Sequence, residues 1–122
     1  MIIGVPAHDG FSGKAVNHVL DMPPHHMTHW SSESLAYVAK AYGVELQKLA
    51  YEPIAKYHIH WAKSILIAQK IRKILGMPPS LLDVSTQSAF VAKLSMLIAK
   101  FLPMSMRDQL GHTMVAVYEK RA

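Results

Sequence analysis

The chain has 122 residues, 51% of them apolar and 17% charged, with 13 Lys+Arg against 8 Asp+Glu, a net charge of +5 and no cysteine. That composition supports one packed domain at most and excludes disordered, collagen-like and low-complexity chains. Without cysteine there is no disulfide, thiolate metal site or sulfur nucleophile, and a cytoplasmic location is expected.

Residues 1–6 (MIIGVP) form a short β-branched apolar run closed by Pro6, which predicts a buried strand entering a loop. Chain ends ordinarily fray, so a strand at the first residue leads us to expect a missing neighbour. No secretory leader is expected, because the run is too short for an apolar leader core and has no basic stretch before it. Residues 14–29 carry His18, His25, His26 and His29, a Pro-Pro pair and no clean period, and read as a long loop with a helical turn near 15–20. Loops of this length in compact domains commonly carry function.

A helix is predicted over 31–43. Ser31 is its N-cap, Trp30 can staple onto Leu35, Glu33 suits the positive end of the dipole and Gly43 ends it. Val44 and Leu46 alternate with Glu45 and Gln47 before Pro53, which predicts a strand over 44–52.

Residues 58–75 follow a helical period, with Ile59, Ala62, Leu66, Ile67 and Ile74 on an apolar stripe and Lys56, Lys63 and Lys70 on another. Gly76 and Pro78-Pro79 stop it. A helix over 86–102 places Phe90, Leu94, Leu97, Ile98 and Phe101 on one face, the expected core face, and Pro103 stops it. A short helical piece over 105–110 leads to a final strand over 112–120, in which Met114, Ala116 and Tyr118 alternate with Val115 and Val117. The expected fold class is therefore α/β, a small three-stranded mixed sheet with three helices and no internal repeat. The basic middle helix is expected to cover the sheet, and a first strand apolar on both faces wants another strand beside it.

The lysines and arginines are not gathered into a membrane-binding face, and apolar stretches are broken by Lys63, Lys70, Lys93 and Lys100, well short of the about 18 residues of a span. Neither nucleic acid nor membrane is an expected partner. His25, His26 and His29 are the densest ionisable cluster and can serve as bases or pocket walls near neutral pH, but their loop spacing is not that of a zinc site, so no metal is expected. Asp9 and Asp21 stand on the loop arms as possible acid or base groups, although surface turn aspartates are commoner. His58 and His60 face apart on a helix and read as ordinary surface residues, and Trp61 as a core or interface aromatic. No G-x-G-x-x-G or Walker pattern occurs.

The run from Asp21 to Ser31 (DMPPHHMTHWS), followed by Glu33, Leu35, Ala39 and Gly43, resembles the segment after the fifth strand of class I S-adenosylmethionine-dependent methyltransferases. Tyr51-Glu52-Pro53 and the terminal GHTMVAVYEK (111–120) resemble later parts of the same family. The resemblance covers 1–53 and 111–120, with 55–110 as a helical insertion of the kind that often carries substrate specificity. It implies a Rossmann-like sheet of order 3-2-1-4-5-7-6 with strand seven antiparallel, of which this chain would hold strands five, six and seven.

The same resemblance implies methyl transfer to a small-molecule acceptor in the intact enzyme. It also implies that the cofactor-binding half lies upstream, so this chain alone is expected to bind no S-adenosylmethionine and to be inactive. His25 and His26, with Pro24 and His29, carry over as substrate-pocket residues of unassigned role. The alternative is a non-catalytic interaction or dimerisation module, and self-association is expected through the strand edge between Ile2 and Val5 or through the apolar helices.

Overall fold

The structure, a computed structural model, describes residues 1–120. Its regular elements are β1 (Ile2–Pro6), α1 (Ser32–Ala41), β2 (Val44–Tyr51), α2 (Ile59–Ile74), α3 (Thr86–Phe101) and β3 (Thr113–Lys120). The α/β class and all six of these elements match expectation. Where a helical turn was expected near 15–20, 3-10 turns occupy Ser12–Lys14 and Val19–Asp21, separated by Asn17 in the left-handed region at φ 60°. Residues 105–110 are not helical and hold a single turn, in which Gln109 N–H donates to Met106 O.

The sheet order is β1-β3-β2. β3 is central and antiparallel to both neighbours, so β1 and β2 point the same way without touching. The expected mixed sheet is thus corrected: both hydrogen-bonded pairs are antiparallel, because the last strand inserts between the first two. On one face Met114, Ala116 and Tyr118 of β3 are buried against Leu35 of α1, with Ile3, Val5, Leu46 and Leu49 packed around them. Leu46 and Leu49 are three apart yet share this face, because a bulge at Gln47 between Leu46 and Lys48 re-phases β2.

Two elements of α1 placement are local. Ser31 Oγ accepts Ser34 N–H at 3.2 Å while Ser34 Oγ accepts Ser31 N–H at 2.8 Å, a reciprocal capping box. At the far end Gly43 takes φ +64°, the left-handed turn that closes the helix.

β1 is not a buried strand. Its free edge and outer face are exposed, Ile2 at 71%. Ile2, Gly4, Val115 and Val117 share the other sheet face, where Ile2 and Gly4 are exposed and the two valines half-buried. α2 packs against α3 and the loop after β1, with no more than peripheral contact to the sheet, so the expectation that it covers the sheet is corrected. A second core forms there from Phe11, Ala62 and Ile65, with Trp61, Ile54 and Met106 around them.

The α2–α3 seam rotates α3 away from the expected core face, leaving Leu94 and Ile98 half-buried at its margin. α3 buries Ser88, Val91, Ser95 and Ala99, while Phe90 (63%), Leu97 and Phe101 (73%) face outward. The cause lies in α2, where Arg72 is buried and Ile74 is 83% exposed. Arg72 Nη1 donates to Ser88 Oγ at 2.9 Å, and Nη2 reaches Asp83 Oδ2 at 2.9 Å and Pro78 O at 3.2 Å. Turning Phe90 inward would turn Ser88 out and leave a buried guanidinium short of partners, a cost that exceeds the gain from a larger apolar contact. Among the described residues, no helix is long and apolar enough to cross a membrane.

Candidate functional site

The C-terminal ends of β1 and β2 and the N-terminal end of β3 meet at one end of the sheet. Three loops converge on it: residues 7–31, the connector 52–58 and residues 111–112. Their backbones are knitted together, with Ala7 N–H on His112 O and His8 N–H on Trp30 O at 2.8 Å each and Glu52 N–H on Thr113 O at 2.9 Å. Gly10 and Gly111 permit this approach, since a Cβ on either would strike the carbonyl of Gly111 or of Glu52 respectively.

Six histidines gather over this end of the sheet, five of them in two groups. In the first, the His8 and His29 rings stack with centroids 4.4 Å apart and 13° between planes. His29 Nε2 donates to Asp21 O at 2.9 Å, and His26 Nδ1 lies 3.3 Å from Asp21 Oδ1, so one aspartate orients two imidazoles. In the second, His58 and His112 meet edge to face at 4.9 Å, and His112 Nδ1 is 3.8 Å from Glu52 Oε2. Phe11 stands edge-on to Trp61 at 5.0 Å and to His112 at 6.0 Å, walling the second group from below.

His18 packs on Trp61 at 5.2 Å, close enough to Asp21, His26 and His112 to feel their charges. Burial chiefly holds its imidazole below the ordinary 6.5, the neighbouring His26 and His112 add to this, and Asp21 opposes it. His18 is therefore neutral near pH 7 and available as a proton acceptor.

The Nδ1 atoms of His8, His18, His58 and His112 are buried without a protein hydrogen-bond partner. Buried polar atoms are rarely left so, and these four imidazole nitrogens mark this end of the sheet as the place where buried hydrogen-bonding groups lack protein partners. Asp9 is set deeper, accepting Tyr51 Oη–H at 2.7 Å and Ser32 N–H at 3.1 Å on Oδ2, and acts as a brace between loop, sheet and α1.

Of the residues expected to line a pocket, His26 and His29 are in the cluster. His25 and Pro24 are exposed on its outer lip, and His25 is held only by a backbone bond from its N–H to Met22 O at 3.0 Å. His8, His58, His112 and Glu52 lie outside the residues the sequence points to, yet they complete the cluster. The missed signal is positional: each stands within three residues of a strand end or opens a helix at that end of the sheet, which only the strand order reveals.

Ligand atoms of His8, Asp21 and His29 lie within 4.8 Å of one another. A metal bound by two imidazoles must sit in both ring planes at about 2.0–2.1 Å from each nitrogen. Stacked planes 13° apart do not converge at that range, so this pair is arranged to share a face and not to chelate. No family model, curated protein or solved structure matches this chain.

Proposed function

We propose that the chain is the C-terminal, substrate-side part of a class I S-adenosylmethionine-dependent methyltransferase, in which the histidine cluster borders a small-molecule acceptor. The observation that carries this reading is the strand arrangement β1-β3-β2 with the last strand central and antiparallel. Strands five, seven and six of that family's sheet would have this order and sense. The unpaired edge of β1 and the sheet face carrying Ile2 and Gly4 are then where the remaining strands and helices dock.

The residues present do not fit the methyl donor. Gly10 and Gly13 are packed against the carbonyls of Gly111 and His8 and are not open to a ligand, and no glycine-rich turn follows β1. This chain's share is to bind and align the acceptor, since methyl transfer depends on the line of nucleophile, carbon and leaving sulfur more than on strong acid-base help. His26, oriented by Asp21, and His112, beside Glu52, supply imidazoles to hold an acceptor hydroxyl or amine.

Two measurements test the reading. Calorimetry on the 122-residue chain is expected to give no isotherm with S-adenosylmethionine or S-adenosylhomocysteine, and saturable micromolar binding would overturn the assignment of the cofactor site elsewhere. Extending the chain by the codons upstream and in frame is expected to add a strand with a glycine-rich turn and to confer that binding. An upstream stop codon would leave instead the second reading, a non-catalytic dimerisation module, which the outward Phe90, Leu97 and Phe101 favour. Light scattering that found only monomer at every concentration would remove that one.

A further inference from the structure

A cavity of about 830 Å³ lies between the segment 14–16, the outer side of α2 and the connector between α2 and α3. That volume suits a small organic ligand, whose sites run to roughly 300–1,000 Å³. Its apolar lining includes Val16, Leu66, Met77, Leu81 and Met104. Its charged lining is of one sign: Lys14, Lys70, Lys73 and Arg72 contribute, and no Asp or Glu does. Arg72 is neutralised by Asp83, whereas Lys14, Lys70 and Lys73 make no ion pair among the described residues.

The wall is pinned in place before any ligand arrives. Asn17 Nδ2 donates to Asp83 O at 2.7 Å, Asp83 N–H to Asn17 Oδ1 at 2.8 Å, and Asn17 N–H to Leu81 O at 2.8 Å. Arg72 ties the same connector to α2 through Pro78 O and Asp83, and Gln69 Nε2 donates to Lys14 O at 3.1 Å across the floor. Asn17 makes these bonds from the left-handed conformation at φ 60°, which Asn tolerates better than most non-glycine residues. A preformed cavity whose lining combines apolar side chains with three exposed, unpaired lysines among the described residues is complementary to one ligand chemistry.

We propose that this cavity binds a free small amphiphile, an apolar body carrying one carboxylate, sulfonate or phosphate, with Lys14, Lys70 and Lys73 holding the anion. A smaller cavity of about 210 Å³ shares Lys14, Ala15, Val16, Gln69 and Arg72 with it and reaches His18 and Trp61. The two cavities thus share the segment 14–16 as a common wall. The assignment stands whether or not the methyltransferase reading holds.

The test uses two fluorescent probes of similar body, anilinonaphthalene sulfonate and the uncharged phenylnaphthylamine, on the full chain. The sulfonate is expected to bind more tightly, to weaken with salt and to be displaced by monomeric decanoate. Lys70→Met with Lys73→Met is expected to weaken sulfonate binding by about tenfold and to leave the uncharged probe within about twofold. Leu66→Trp, which fills the cavity, should reduce both probes, and Lys14→Met serves if the double variant loses its circular dichroism or melting transition. Equal response of the two probes to the lysine changes, or indifference of both to Leu66→Trp, overturns the proposal. Displacement by anionic vesicles without displacement by decanoate overturns it in favour of a membrane surface.

Discussion

Tyr51 at the end of β2 donates its hydroxyl to Asp9 Oδ2 at 2.7 Å across 42 residues of chain, and the same oxygen accepts the N–H of Ser32 at the start of α1. One carboxylate therefore fixes the loop after β1 to the sheet and to a helix N-terminus, whose dipole favours negative charge. Burial pushes the Asp9 carboxyl up, but the bonds from Tyr51 and Ser32 outweigh it and the net position is below the ordinary 3.8. Burial first, and then the bond to Asp9, raise the Tyr51 hydroxyl above 10.0.

Tyr51→Phe is expected to cost about 1 kcal/mol of stability at neutral pH and to move the Asp9 carboxyl back toward its usual value. A carboxyl lowered by folding stabilises the protein above its unfolded value of 3.8, and this is lost as the pH falls through the native value. Urea unfolding of the two proteins should accordingly converge below that range, and a difference that persists unchanged in acid would show that the hydroxyl acts through packing alone.

His18 carries the opposite charge type with the same direction of shift. Folding lowers its imidazole below 6.5, so below that pH the unfolded chain takes up a proton that the native chain refuses. Stability is then fully present above 6.5 and declines as the pH falls through the lowered native value. His18→Gln is expected to flatten this decline, read as the slope of melting temperature against pH over about pH 5–7, and the His18 ring carbon-bound proton should titrate below the ordinary 6.5 in NMR.

On α3 the inward positions are small and the outward ones large. Ser95→Ile is expected to overpack the seam with α2 and cost about 1–3 kcal/mol. Leu97→Gln, on the outward face, should change monomer stability by less than about 0.5 kcal/mol and raise solubility. Chemical denaturation of both variants checks the pair, and the reverse ranking would restore the large-residue face as the core.

These α3 positions also mark where the sequence stopped being legible. Strands with clean alternation, such as Met114, Ala116 and Tyr118, and a helix with a capping serine and closing glycine, such as Ser31 to Gly43, specify themselves through local chemistry. α3 is apolar on nearly every side, so periodicity could not choose a face. The choice belongs to Arg72, a residue of another helix whose burial no local pattern announces. The site was readable in the same partial way. His26 and His29 belong to a conspicuous loop, whereas His58 and His112 join them only because β3 inserts between β1 and β2.

Arg72 is where the α2–α3 hairpin is decided, and its partners make a sharp prediction. Asp83 is held at about 2, by the hydroxyl and N–H of Ser85 in the first place and by Arg72 in the second. Its contribution is complete above 3.8 and is lost as the pH falls toward 2. Arg72→Lys keeps a charge near Asp83 but cannot present the planar fork that reaches Ser88, Pro78 and Asp83 together.

Arg72→Lys is therefore expected to melt several degrees lower and to speed hydrogen exchange along α3 and the connector 77–83, while α1 and β3, packed in a separate core, keep their protection. Asp83→Asn, which leaves Ser85 and Arg72 in place but removes the charge and one of the two accepting oxygens, as protonation of the carboxylate does, should reproduce the loss at neutral pH and match the parent protein below about pH 2. Equal exchange along α3 in the parent and in Arg72→Lys would mean that side-chain packing alone sets the helix rotation, and that the buried guanidinium follows the seam where the present reading has it lead.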